Sequence, residues 1–183
     1  MNGTLTIDLS AELTLASGAQ VWINDGTLTN SGTINYAAIS ALIDHNSTRY
    51  DYYGGSTGIA KSALVTDFDS SDTVTIKRGA LTQDEASACA ALTIDAPGAY
   101  IMTAGGLDVA GSITAPGAFT ADNTINIGGN WFTTGTFTCG TSTVIFDGSA
   151  AQTITSGGNA FHNIQISNTA AAVSLVTGSL AMD

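Results

Sequence analysis

Three columns of apolar residues run through this sequence at a nearly constant interval, and no other feature narrows the possible folds so much. Leu81, Tyr100, Phe119 and Phe137 follow one another at 19, 19 and 18 residues, and Ile154 and Val173 extend the series at 17 and 19. A second column runs Leu107, Ile125, Val144, Ile164, and a third runs Val109, Ile127, Phe146, Ile166. Chance can place one such series in an apolar-rich chain. Three that keep step and share the same drift require repeated, stacked units.

Each apolar position lies in a short alternating segment, such as "TINI" (124–127), "TVIF" (143–146) and "NIQI" (163–166). That period of two is the signature of a strand with one buried face. Turn chemistry separates the segments: "APG" at 96–98 and 115–117, "GGN" at 128–130 and 157–159. A repeat of this length, holding short strands and tight corners, has no room for a helix. The predicted fold is all-β, a parallel β-solenoid (β-helix) whose strands stack at about 4.8 Å. A finer period gives it three sides: Leu107, Ile113, Phe119, Ile125, Trp131 and Phe137 are each six apart, with Gly111, Gly117, Asn123, Gly129, Gly135 and Thr141 at the corner positions. Like residues then stack above like, so Leu81, Tyr100, Phe119, Phe137, Ile154 and Val173 form an inward ladder. Truncating Phe119 to alanine in such a ladder costs about 3–5 kcal/mol.

The N-terminal part follows the same hexad rule through Leu9, Leu15 and Val21, then Leu28 and Ile34 after one extra residue. "WINDGTLT" (22–29) parallels "WFTTGTFT" (131–138), and "TINY" (33–36) parallels "TVIF" (143–146), which makes Trp22 and Trp131 equivalent packing positions. Between Ala37 and Ser62 the rhythm fails. Residues 1–183 therefore read as one solenoid domain of about 8.5 coils and about 40 Å, with 37–62 an insertion projecting from it. Apolar spacing in "YAAISALI" predicts one short helix there, and the capping-box pair Thr82 and Glu85 predicts a second over 82–92. The sequence starts and stops in mid-pattern. This predicts a segment of a longer protein, or a subunit whose ends meet neighbouring solenoid segments.

Composition agrees. Only 10% of the residues are charged, too few to coat many helices, whereas a sheet can be clad in Thr, Ser and Asn. Four basic residues (Arg49, Lys61, Lys77, Arg78) against 15 acidic ones give a net charge of -11, which excludes a phosphate-tracking surface and hence nucleic-acid binding. No apolar run reaches the roughly 18 residues of a membrane span, and the N-terminus carries no signal pattern. Cys89 and Cys139 read as small fillers, with a lone disulfide the alternative.

Catalytic patterns are missing. His45 and His162 are isolated, no HxH, HExxH, CxxC or Gly-x-Ser-x-Gly occurs, and Asp95, Asp108, Asp122 and Asp147 share no column. No cofactor is expected. Asp67, Asp69 and Asp72 in "DFDSSD" alternate as calcium-loop ligands do but lack the closing Gly and Glu, so a solvated turn is the first reading and calcium the alternative. The insertion holds Arg49, Tyr50, Tyr52 and Tyr53, side chains suited to stacking on sugars or anchoring protein contacts. The competing reading is that they cover the prism wall.

Three resemblances follow from these residues. The hexads resemble those of left-handed β-helix acyltransferases, which implies an enzyme. Against this, Phe119, Trp131 and Phe137 are bulky for that family, and the prism offers no basic residue for a coenzyme A phosphate. Thr27, Thr29, Thr136, Thr138, Thr153 and Thr155 flank inward residues as in an ice-binding array, which Ala99 and Ile101 interrupt. The phrase W-F-T-T-G-T-F-T-x-G-T-S-T-V-x-F-D-G-x-x-x-Q-T-I-T with F-H-N-I-Q-I-S-N resembles repeats of large bacterial surface proteins and of phage virion or tail-fibre proteins. The likeness covers 125–183 well and 1–36 more weakly. It implies a stiff, non-enzymatic extracellular, cell-surface or virion scaffold that presents an attachment site for a cell-surface glycan or protein.

Overall fold

The computed structural model describes residues 3–176 and 180–183. The first coil comprises β1 (Thr4–Ile7), β2 (Glu12–Leu15) and β3 (Gln20–Asn24), and the second β4 (Thr27–Asn30), β5 (Thr33–Tyr36) and β6 (Ala41–Asn46). The chain then turns back as β7 (Arg49–Gly54), followed by β8 (Ile59–Ala60), a 3-10 turn (Lys61–Ala63) and β9 (Thr73–Arg78). From there it coils regularly. Successive turns are β10 (Ala80–Gln83), β11 (Ser87–Cys89), β12 (Ala91–Ile94); β13 (Ala99–Met102), β14 (Leu107–Val109), β15 (Ile113–Ala115); β16 (Ala118–Thr120), β17 (Thr124–Ile127), β18 (Trp131–Thr133); and β19 (Phe137–Thr138), β20 (Thr143–Phe146), β21 (Gln152–Thr155). The last rungs are β22 (Ala160–Phe161), β23 (Asn163–Ile166), β24 (Val173–Leu175) and β25 (Ala181–Met182).

The fold is a β-solenoid with three walls. One wall stacks β8, β10, β13, β16 and β19, a second stacks β11, β14, β17, β20 and β23, and the third is a nine-stranded sheet in the order β3, β6, β7, β9, β12, β15, β18, β21, β24. Nine strands at the sheet spacing make a wall roughly 38 Å tall. Along each strand alternate residues turn inward, as in β12, where Leu92 and Ile94 are buried and Ala91 and Thr93 half-buried. Corners are tight enough to select residues: a Cβ on Gly135 would lie 2.0 Å from the Gly117 carbonyl oxygen of the rung below.

The ladder is real through four positions. Leu81 pairs with Tyr100, Tyr100 with Phe119, and Phe119 with Phe137. Beyond Phe137 the expected continuation is wrong. Ile154 pairs with Trp131 and Leu175, and Val173 with Gln152, all on the nine-stranded wall. The column instead passes to Phe161, whose ring centroid is 5.5 Å from that of Phe137, and on to Met182. Longer corners around "DGSAA" (147–151) and "SGGN" (156–159) stretch this repeat to 24 residues, which displaces an interval read off the earlier coils. Trp131 enters the column from the neighbouring wall, with centroids 4.9 Å from Phe137 and 5.2 Å from Phe161.

Neither expected helix forms. Residues 41–46 are β6, hydrogen-bonded along β3, and 82–92 hold the end of β10, all of β11 and the start of β12. Each of these strands has a rung to pair with, and that pairing overrides local helical spacing. Among the described residues the 3-10 turn is the only helical element, and no helix is long and apolar enough to cross a membrane.

The segment 37–62 does not project. Its hairpin, β6 against β7, is built into the nine-stranded wall: β6 runs parallel to β3, β7 antiparallel to β6, and β9 parallel to β7. Strand direction therefore reverses once, between the second and third strands of the wall. The buried face reverses with it. Leu42 packs with Leu15 and Ile23 in one core, whereas Ile43, Tyr50 and Tyr52 belong to the core formed with Val74, Ile76 and the rest of the solenoid. Reversing both direction and buried face equals a half-turn about the stacking axis, so both parts coil in the same sense. The molecule is thus two prisms on opposite faces of one wall, a short one of two coils and a long one.

Two N-terminal expectations change with this. Leu9 is 81% exposed, in the turn between β1 and β2, while Ile7 and Leu15 are buried. Trp22 is 44% exposed and Trp131 fully buried, because in β3 the inward residues are Val21 and Ile23, one position out of phase with the apparent match. Cys89 and Cys139 are both free and buried, so the lone disulfide is excluded.

Candidate functional site

The site of interest is the step where the chain crosses from one prism to the other. The crossing turn, Ser47 with φ 51°, follows Asn46, and Asp25 Oδ1 accepts the Ser47 backbone N–H at 3.2 Å. On return, β7 alternates its side chains between the two cores. Tyr50 and Tyr52 point into the long prism and are fully buried; the Tyr50 hydroxyl donates to the Thr66 carbonyl at 2.8 Å and the Tyr52 hydroxyl to the Ala80 carbonyl at 2.7 Å. Burial pushes the Tyr52 phenol up to about 12. Both are core residues that no ligand in solvent can reach, which corrects their assignment to a contact surface. Arg49 is bound internally, donating to Asp44 at 2.9 Å and to Asp51. Of the four expected contact residues only Tyr53 faces a surface recess.

Two re-entrant corners flank the step, and they differ. The first lies below the long prism, over the outer face of β3, and is filled by residues 61–72. Leu64 and Phe68 close the prism floor, with Phe68 edge-on to Tyr50 at 5.4 Å between centroids. Gln20 fastens this segment: its Nε2 donates to the Ala63 carbonyl at 2.8 Å, and its Oε1 accepts the Val65 N–H at 2.7 Å. Lys61 is buried with its Nζ 5.0 Å from the Phe68 ring centre, and pairs with Asp67 and, at 3.2 Å, Glu85.

The three aspartates of "DFDSSD" serve this plug. Asp67 takes Lys61 and the Phe68 N–H, Asp69 accepts from Ser71, and Asp72 is buried against His45 Nε2 at 3.0 Å while accepting the Asp69 N–H. Each carboxylate is spoken for separately, and among the described residues no three ligating side chains converge. This arrangement favours the turn reading over the calcium alternative.

The second corner lies above the short prism, against the outer face of β7 and β9, and is open. It is a cavity of about 390 Å³ lined by Leu28, Asn30, Ile34, Tyr36, Tyr53 and Arg78. Leu28 and Ile34 are inward positions of the second coil, half-exposed because no third coil covers them. Tyr53 comes down from β7 and Arg78 from the end of β9, the two meeting at a register shift in the β7–β9 ladder. The Arg78 guanidinium lies 4.3 Å from the centre of the Tyr36 ring. Tyr36 is pushed up to about 12, burial outweighing the opposing pull of Arg78.

Charge singles out Arg78. Arg49, Lys61 and Lys77 each pair with carboxylates, Lys77 with Asp95 at 3.3 Å. Arg78 forms no ion pair among the described residues, although the chain carries 15 acidic residues. A recess with two tyrosines and one uncommitted guanidinium can hold a carboxylate against an aromatic or apolar floor.

Sequence reasoning missed Tyr36, Arg78, Leu28 and Ile34, since all lie in segments that keep the strand rhythm. The confinement of all basic residues to 49–78 was the available signal. The six threonines do not form one array: Thr27 and Thr29 are on the short prism, Thr136 and Thr138 at β19, and Thr153 and Thr155 on the nine-stranded wall. The chain matches no protein-family model, no curated protein and no solved structure.

Proposed function

We propose that this protein is a non-enzymatic structural and attachment module, a stiff rod of an extracellular, cell-surface or virion assembly. One observation carries the reading. From β13 to β22 the long prism is filled by an unbroken aromatic column, Tyr100, Phe119, Phe137 and Phe161 with Trp131 wedged among them, at centroid spacings of 4.9–5.9 Å. Close-packed interiors transmit strain and resist bending, and coils stacked only on their neighbours suit a spacer. The likeness of 125–183 to adhesin and tail-fibre repeats supports placing the rod outside a cell or on a particle. The open corner at Tyr36, Tyr53 and Arg78 is the attachment surface.

Antibodies raised against the purified chain, applied to intact source cells or particles, test this. Labelling without lysis is the expected result. Labelling only after lysis, or turnover of acetyl-coenzyme A by the purified chain, would overturn the reading, the latter in favour of an acyltransferase.

A further inference from the structure

We propose that the open corner is completed by an extended strand of another polypeptide, laid on the upper edge of β4 or β5 and carrying a carboxylate to Arg78. The corner is an unfinished coil. Among the described residues β4 pairs only with β1 and β5 only with β2, both on the lower side, so the main-chain N–H and C=O groups of their upper edges have no rung to pair with. In the long prism the same edges are taken up by the next rung. β17, for example, pairs with β14 on one side and β20 on the other.

Three further features favour a strand. First, the floor has the alternation a strand covers: Leu28 and Ile34 rise from β4 and β5 with Tyr53 opposite. Second, these edges carry none of the usual protections. "TLTN" and "TINY" contain no Lys and no Pro, which are the residues that commonly keep exposed edges from pairing. Third, the other corner of the same step is filled by polypeptide: the 3-10 turn and the irregular residues 64–68 lie across the floor of the long prism, their main chain fastened by the Gln20 side chain and their apolar side chains Leu64 and Phe68 turned into the core. Arg78 adds selectivity. A guanidinium held over Tyr36 without a carboxylate of its own favours a strand with an acidic residue near one end. Strand addition of this kind draws affinity from the main chain and specificity from alternate side chains.

The proposal builds on the attachment reading of the rod, yet its test is separate, since surface labelling reads location and amide exchange reads this corner. The probe is the blocked synthetic peptide of residues 4–9 of this chain, TLTIDL, which has the alternation of a rung and a single carboxylate. At millimolar concentration it should slow backbone amide exchange in β4 or β5 of the whole protein several-fold. Arg78→Ala, or the peptide with Asn in place of its aspartate, should weaken binding about tenfold. A backbone N-methylated peptide should not bind. Exchange in β4 and β5 unchanged by saturating peptide, or equal binding of the N-methylated form, would overturn the proposal. So would oligogalacturonate perturbing Tyr36 and Tyr53 resonances where the peptide does not, which would assign the corner to an acidic glycan.

Discussion

The short and long prisms are made from the same strand pattern, share one wall and coil in the same sense, yet they bury their side chains to very different degrees. In the short prism only Leu15, Ile23 and Leu42 form the buried cluster, with Leu5, Leu13, Leu28, Ile34 and Tyr36 left partly exposed around them. In the long prism Trp131, Tyr100, Phe119, Phe146 and Phe161 are all fully buried. The difference is one of stacking number. Rungs above and below cover an inward residue best, and with two coils no residue of β1, β2, β4 or β5 has both; in these four strands Ile7 and Leu15 are buried and the other inward residues are partly exposed. The shared wall compensates in part: Leu42 is covered by Tyr53 from β7, and Tyr53 borrows its position from the long prism.

The largest effect belongs to the middle of the long prism. Phe119 is paired on both sides, by Tyr100 and Phe137, and its ring stacks on Trp131 at 5.9 Å. Phe119→Ala should destabilise the fold by about 3–5 kcal/mol, measured as a lower urea midpoint with unchanged slope. A loss under about 1 kcal/mol would mean that the column is loosely packed, and with it the contrast between the prisms would fail.

How far the sequence reveals this molecule depends on which interactions set each feature. The long prism is legible because a stacked array writes the same demand into every coil: Leu107, Ile125, Val144 and Ile164 stand in register as their spacing requires. The ladder is lost after Phe137 because corner length is free to vary where a loop meets solvent, as in "DGSAA". The step is hidden for a different reason. A hairpin such as β6–β7 has two apolar faces when a core lies on each side, so "ALI" in β6 and "YDYY" in β7 show no clean alternation. That continuous apolarity imitates a helix or a surface aromatic patch. The open corner leaves no pattern at all, since Leu28, Ile34 and Tyr36 look like any other inward residues until the missing third coil is seen.

A smaller and local effect sharpens the comparison. Leu42 is fully buried and lies between Val21 of β3 and Tyr53 of β7 in the wall. Leu42→Ala should cost about 2–5 kcal/mol in the short prism, and the loss should be confined there, because that cluster is small and separate. Hydrogen exchange should rise in β1 to β5 while β13 to β21 keep their protection. Uniform loss of protection across both prisms would show that they unfold as one unit.

At neutral pH the smallest effect is none at all, and raising the pH exposes it. Tyr36 beside the open corner and Tyr52 in the long prism are both raised from 10.0 to about 12, mainly by burial. A phenol whose pKa is higher folded than unfolded contributes stability that is fully present below the unfolded value and is lost as pH rises through the folded one. These two phenols should therefore add no pH dependence below about 10 and cost stability between about 10 and 12. The two prisms should part company within that window. Tyr36 needs only the short prism to open in order to ionise, whereas Tyr52 needs the shared wall to come apart. Phenolate absorbance should thus rise in two steps, the first accompanied by exchange in β4 and β5 alone and absent in Tyr36→Phe. A single step at the ordinary tyrosine value, with the strands still protected, would show that neither phenol is held by the fold and that the second coil is no looser than the rest of the rod.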